Sequence, residues 1–175
     1  MNNKVIAGIL VSQYKAALYM FRQAIEKVPA DEWNTNEYKN PHWQIAYHTI
    51  WTTKFYLGPN PESLMPWPGS IAGAEHLGGK EEWENPEPGV VVAGYQSKEE
   101  IISFIENTEA ILNQSVEALP FEEYTGFDWY PYTRFEFHIN NIRHIQHHAG
   151  QIIERLKAKG FSGFHWAADG TTPKK

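Results

Sequence analysis

From about residue 4 to residue 28 the apolar side chains Ala7, Val11, Tyr14, Leu18, Phe21, Ile25 and Val28 recur at steps of three and four. That is the period of a helix with one buried stripe, and Pro29 closes it. A second helix is predicted from "NPHW" to about Leu57, where "GPNP" stops it. Asn40 would be its N-cap and Pro41 would sit in its first turn, where a missing N–H costs nothing. A third opens at "SKEE", in which Ser97 and Glu100 have the spacing of a capping box, and its stripe is Ile101, Phe104, Ile105, Thr108, Leu112, Val116 and Leu119. Pro120 ends it. The fourth opens at a second capping box, Thr133 with Glu136, and should continue to Gly160, a natural residue just past a helix end.

Residues 58–96 break the pattern. They hold 7 of the 13 glycines and 6 of the 11 prolines, together with Trp67 and Trp83, and no period survives among them. So long an irregular stretch inside a compact domain is a functional lid or a disordered insert, and the tryptophans favour an ordered lid. Four long amphipathic helices and no convincing strand predict an all-α fold. The most economical burial of four stripes is a four-helix bundle with a long irregular insert between its second and third helices. At 175 residues the chain is expected to be one domain, 1–175.

Composition narrows the partners. The net charge is -6, with Lys and Arg scattered singly, so there is no footprint for nucleic acid or for an anionic membrane. The absence of cysteine removes disulfides, thiolate zinc sites and cysteine nucleophiles together. "MNNKVIAGILVSQYK" lacks a long apolar run with a cleavage site, and no stretch approaches the roughly 18 apolar residues of a bilayer span. A soluble, cytoplasmic protein is expected.

The candidate chemistry lies in "RHIQHHAGQII", residues 143–153. At about 100° per residue, His147 falls with Arg143, Glu154 and Lys157 on the solvent side. His144 and His148, one turn apart, fall at the margin of the apolar arc and can converge on one ion. Such a pair needs a further ligand from another helix. His48 is the candidate, since Ile45, Trp51 and Phe55 share its face and direct it inward. An inward histidine can equally be a core side chain bonded to a carbonyl. His138 sits mid-stripe, His42 is rotated away from His48, and His76 and His165 lie in irregular segments. No glutamate precedes a histidine by three, as a di-iron bundle needs, and H-E-x-x-H is absent. What is left is three neutral imidazoles from two helices, a set suited to a divalent Zn, Ni or Fe ion with coordination positions open.

"IAYHTIWTTKFYL" on the second helix and "NNIRHIQHHAGQII" on the last resemble the DinB/YfiT-like metalloenzymes, whose name is historical and unrelated to the DNA polymerase. Helix count and order agree across nearly the whole chain. The resemblance implies a four-helix bundle, a metal triad at His48, His144 and His148, and a frequent glutamine at Gln151. Active family members resemble metal-dependent thiol transferases and maleylpyruvate isomerases. The long Pro/Gly/Trp segment departs from the compact family core.

Together these observations predict a small metalloenzyme, a transferase or hydrolase, acting on a small molecule that could be a thiol. Trp51, Trp67, Trp83 and the "FDWYPY" loop would wall the pocket, and Gln151 and Asn141 would orient the ligands. The rival is a binding or interaction protein with a structural or vestigial metal site. Homodimerisation through a helix face would suit such a bundle.

Overall fold

A computed structural model describes residues 2–77, 92, 94–118 and 120–171. Among these residues there are four α-helices and no strand: α1 (Asn3–Lys27), α2 (His42–Leu57), α3 (Lys98–Glu117) and α4 (Arg134–Ala158), with 3-10 turns at Ala30–Glu32 and Pro61–Ser63. An isolated antiparallel bridge joins Tyr124 to Thr133. No helix of the described residues is long and apolar enough to cross a membrane.

The helices form a ring. α1 packs on α4, α4 on α2, α2 on α3, and α3 on α1, so α1 lies diagonally from α2 and α3 from α4, while α2 and α3 are neighbours. At its centre Tyr14, Leu18, Phe21 and Ile25 of α1 meet Ile45 and Ile50 of α2, Ile105 and Leu112 of α3, and Ile145, Ile152 and Leu156 of α4, all fully buried. Burial of each such side chain contributes about 1.5–3 kcal/mol.

Local signals set most of the boundaries. Both capping boxes are closed, Ser97 with Glu100 and Thr133 with Glu136. At the end of α4 the amide of Gly160 bonds to the Lys157 carbonyl and that of Phe161 to the Leu156 carbonyl. Gly160 has φ +88°, a conformation that closes a helix through these two bonds and that other residues adopt only with strain. Leu119 and Trp83, placed by the sequence in the third stripe and the pocket wall, lie outside the described residues.

The start of α2 corrects the expected cap. Pro41 is the N-cap residue and Asn40 makes no capping bond; its side-chain amide donates instead to the Leu77 carbonyl. That bond begins a seam. Gln44 donates to the His76 carbonyl, Tyr47 exchanges bonds with the backbone of Ile71, and His48 donates to the Glu75 carbonyl. Asn40, Gln44, Tyr47 and His48 stand on one face of the chain entering and forming α2, and residues 71–77 lie along that face. The seam explains why α2 is buried nearly all round, including Trp43, Gln44 and Thr52, and why its amphipathic pattern is indistinct.

Candidate metal centre

The site lies between α2 and α4, which pack as neighbours in the ring. His48 comes from the middle of α2; His144 and His148 come from successive turns of α4. The Nε2 atoms of His48 and His144 are 2.9 Å apart, and those of His144 and His148 are 3.2 Å apart. One ligand atom from each of the three rings lies within 4.8 Å of the others, a cluster that could hold a metal ion.

The outer nitrogens fix the tautomers of two rings. His48 Nδ1 faces the Glu75 carbonyl oxygen, which can only accept, so Nδ1 carries the proton and Nε2 of the neutral ring carries the lone pair. His148 Nδ1 likewise donates to Gln151 Oε1 at 3.0 Å. Burial, reinforced by the neighbouring imidazoles, lowers the His144 pKa to about 2 and that of His148 to about 3, so both rings are neutral near pH 7. Two lone pairs thus face the single Nε2 of His144, which could donate one proton to only one of them. His144 Nδ1 is buried without a hydrogen-bond partner among the described residues. A cation satisfies all three nitrogens at once. A tetrahedral zinc ion with Zn–N bonds of about 2.05 Å sets its nitrogens about 3.3 Å apart, close to the two separations found, so the residues fit such an ion.

His48 sits at the edge of the core rather than inside it. It is half-buried, and a cleft of about 1140 Å³ opens beside it, lined by His48 and His144 and by Trp51, Phe55, Trp129, Tyr130 and Arg143, among others. The face it was expected to share with Ile45, Trp51 and Phe55 divides: Ile45 is fully buried, whereas both aromatics belong to the cleft.

The remaining expected site residues separate into those brought to the histidines and those used elsewhere. Gln151 holds His148. Asn141 is fully buried, and its amide donates to the Thr53 carbonyl at 3.1 Å, tying α4 to α2. Trp67, expected in the pocket wall, stacks on Phe104 at 3.6 Å and packs on Tyr47, because the chain after α2 turns back over α3. His147 is exposed. His138 is buried against Tyr14, whose hydroxyl lies 3.0 Å from its Nδ1, and His42 donates to the Glu32 carbonyl at 2.9 Å.

Two contributors had no readable sequence signal. Glu75, in the aperiodic stretch, supplies the carbonyl that orients His48 and brings its own carboxylate into the cleft, 3.7 Å from His76 Nε2. Arg134 is buried in the first turn of α4 and donates to the carbonyls of Gly58 and Pro59, pinning the 121–133 connection to the end of α2. Gly126, at φ +77°, passes so close to Pro59 that a Cβ would lie 2.3 Å from the Pro59 oxygen. Within that connection the Thr125 hydroxyl donates to the Tyr130 carbonyl at 2.7 Å and accepts from the Phe127 amide at 3.0 Å. The "FDWYPY" loop is thereby folded so that Trp129 and Tyr130 reach the cleft.

A ring of four helices with three imidazoles gathered between α2 and α4 defines a helical bundle with a candidate metal site. A family model of the DinB superfamily matches residues 13–152, and the chain belongs to that superfamily. No curated protein and no solved structure matches it.

Proposed function

We propose that this single-domain bundle is a metalloenzyme in which His48, His144 and His148 hold a divalent Zn, Ni or Fe ion and a small molecule, a thiol among the candidates, reacts in the adjoining cleft by transfer or hydrolysis. The observation that carries this is the convergence of three Nε2 atoms, in which the outer hydrogen bonds of His48 to Glu75 and of His148 to Gln151 turn two lone pairs toward the Nε2 of His144. A divalent ion bound there supplies Lewis acidity, lowering the pKa of a water or thiol that it binds. The protein's own part is to hold neutral imidazoles in fixed tautomers, to exclude bulk water on the core side, and to offer an aromatic wall to the substrate.

A non-catalytic structural site is the competing reading. Structural zinc sites are closed by four protein ligands, while catalytic ones keep a position open. The cluster of described residues has three members, and two of them line an open cleft, which favours catalysis. Elemental analysis of protein purified without a histidine tag tests the metal directly. Near-stoichiometric divalent metal, and a rise in melting temperature when Zn²⁺ or Ni²⁺ is added to chelated protein, are expected; neither would appear if the histidines were incidental. A screen pairing thiol acceptors with ester and amide donors then tests the reaction class.

A further inference from the structure

The chain has four arginines, Arg22, Arg134, Arg143 and Arg155. Three are engaged: Arg22 pairs with Glu26 and Glu106, Arg134 holds the carbonyls of Gly58 and Pro59, and Arg155 bonds to the Asn40 carbonyl over the face of Tyr38. Arg143 is exposed, lines the cleft beside His144, and has no hydrogen bond or ion pair among the described residues. The same cleft is lined by a band of rings. Trp51 lies against Phe55 with centroids 4.9 Å apart, and Phe55 is stacked with Trp129 at 6.4 Å and 22°. Trp129 is 56% exposed although the loop that carries it is pinned by Arg134 and Thr125, so a large apolar surface is held out to solvent at the cleft mouth.

An unpaired guanidinium beside a fixed aromatic shelf recognises one kind of molecule. The guanidinium supplies a forked donor for a carboxylate or similar anion, and the rings take a flat apolar body. Among the described residues the other charged group lining the cleft is Glu75, whose carboxylate faces His76. Glu136, which lines a second groove together with Arg143, has an oxygen occupied by Thr133. Neither neutralises Arg143. With a net charge of -6, the protein attracts an anion to this place only through a local cation.

We propose that the cleft binds a small organic anion with a flat apolar body, the anionic group on Arg143 and the ring along Phe55 and Trp129. As a statement about the substrate this rests on the metalloenzyme reading, which puts the reacting end of the molecule at the histidines; the grip on the anion does not depend on the metal.

The test is calorimetric titration of the metal-loaded protein with 2-naphthoate and with its neutral analogue 2-naphthalenemethanol. The wild type should bind the acid at least tenfold more tightly than the alcohol. Arg143→Gln should abolish that preference, Trp129→Ala should weaken both probes several-fold, and neither change should alter metal content. Equal affinity for the two probes, no measurable binding of either, or a preference that survives in Arg143→Gln would overturn the proposal; the last would mean that the carboxylate goes to the metal. A chain that discriminates the probes but holds no metal would sink the metalloenzyme reading and leave the anion site standing.

Discussion

Gln151 stands three residues beyond His148 on α4, and its side-chain oxygen receives the proton of His148 Nδ1 at 3.0 Å. The glutamine thereby selects the tautomer that frees Nε2. Gln151→Leu keeps the bulk but removes the acceptor, and it should weaken metal affinity by about tenfold, the lower end of what such outer partners contribute. Competition with a metallochromic chelator would measure this. Unchanged affinity would mean that helix geometry alone orients the ring.

The three imidazoles should be individually indispensable. His48→Ala, His144→Ala and His148→Ala are each expected to reduce bound metal to a small fraction of the wild-type content by elemental analysis, whereas His147→Ala, on the exposed side of the same turn, should leave it unchanged. Equal losses in all four would contradict the geometry.

Arg134 is buried with its donors on two backbone carbonyls of the chain leaving α2. Arg134→Met removes the donor to both carbonyls and should cost about 1.5–3 kcal/mol in urea unfolding, the usual contribution of hydrogen bonds to a charged group. Because the same bonds hold the Trp129 loop, amide exchange in residues 125–132 should quicken by more than the global loss of stability requires. A uniform change would assign Arg134 to stability alone.

His138 couples folding to pH. Burial, with the positive charge of Arg134 adding to it, lowers its pKa from 6.5 to about 4. The unfolded chain takes up this proton at higher pH than the folded one, so the contribution is intact above about pH 6.5 and is lost progressively as pH falls toward 4. Between pH 7.5 and pH 5 that loss is about 2 kcal/mol. His138→Gln should remove this share of the pH dependence in denaturant titrations of chelated protein, leaving the share of the other buried histidines. An identical pH profile in the variant would refute the assignment.

What could be read from the sequence followed from rules that act over a few residues. Ser97 with Glu100 and Thr133 with Glu136 marked two helix starts because a capping box is a local exchange of bonds, and Gly160 marked an end because its φ is a local requirement. The spacing of His144 and His148, with His48 on a second stripe, pointed to the cluster for the same reason. What escaped depends on tertiary approach. Asn40 had the chemistry of a cap, but the Leu77 carbonyl, distant in sequence, claimed its amide. Trp67 was free to wall a pocket until Phe104 offered a flatter partner. Glu75 sits in a stretch with no period, so nothing marked its carbonyl as the anchor of His48.

The order of the helices along the chain bears on biogenesis. His48 and its partner His144 are 96 residues apart, and the helix bearing two of the three ligands is the last of the four to be synthesised. A nascent chain that has completed α1 to α3 owns one of the three imidazoles of the cluster. On the metalloenzyme proposal, metal capture would follow the closure of the bundle, and a loaded site would certify that the final helix has docked.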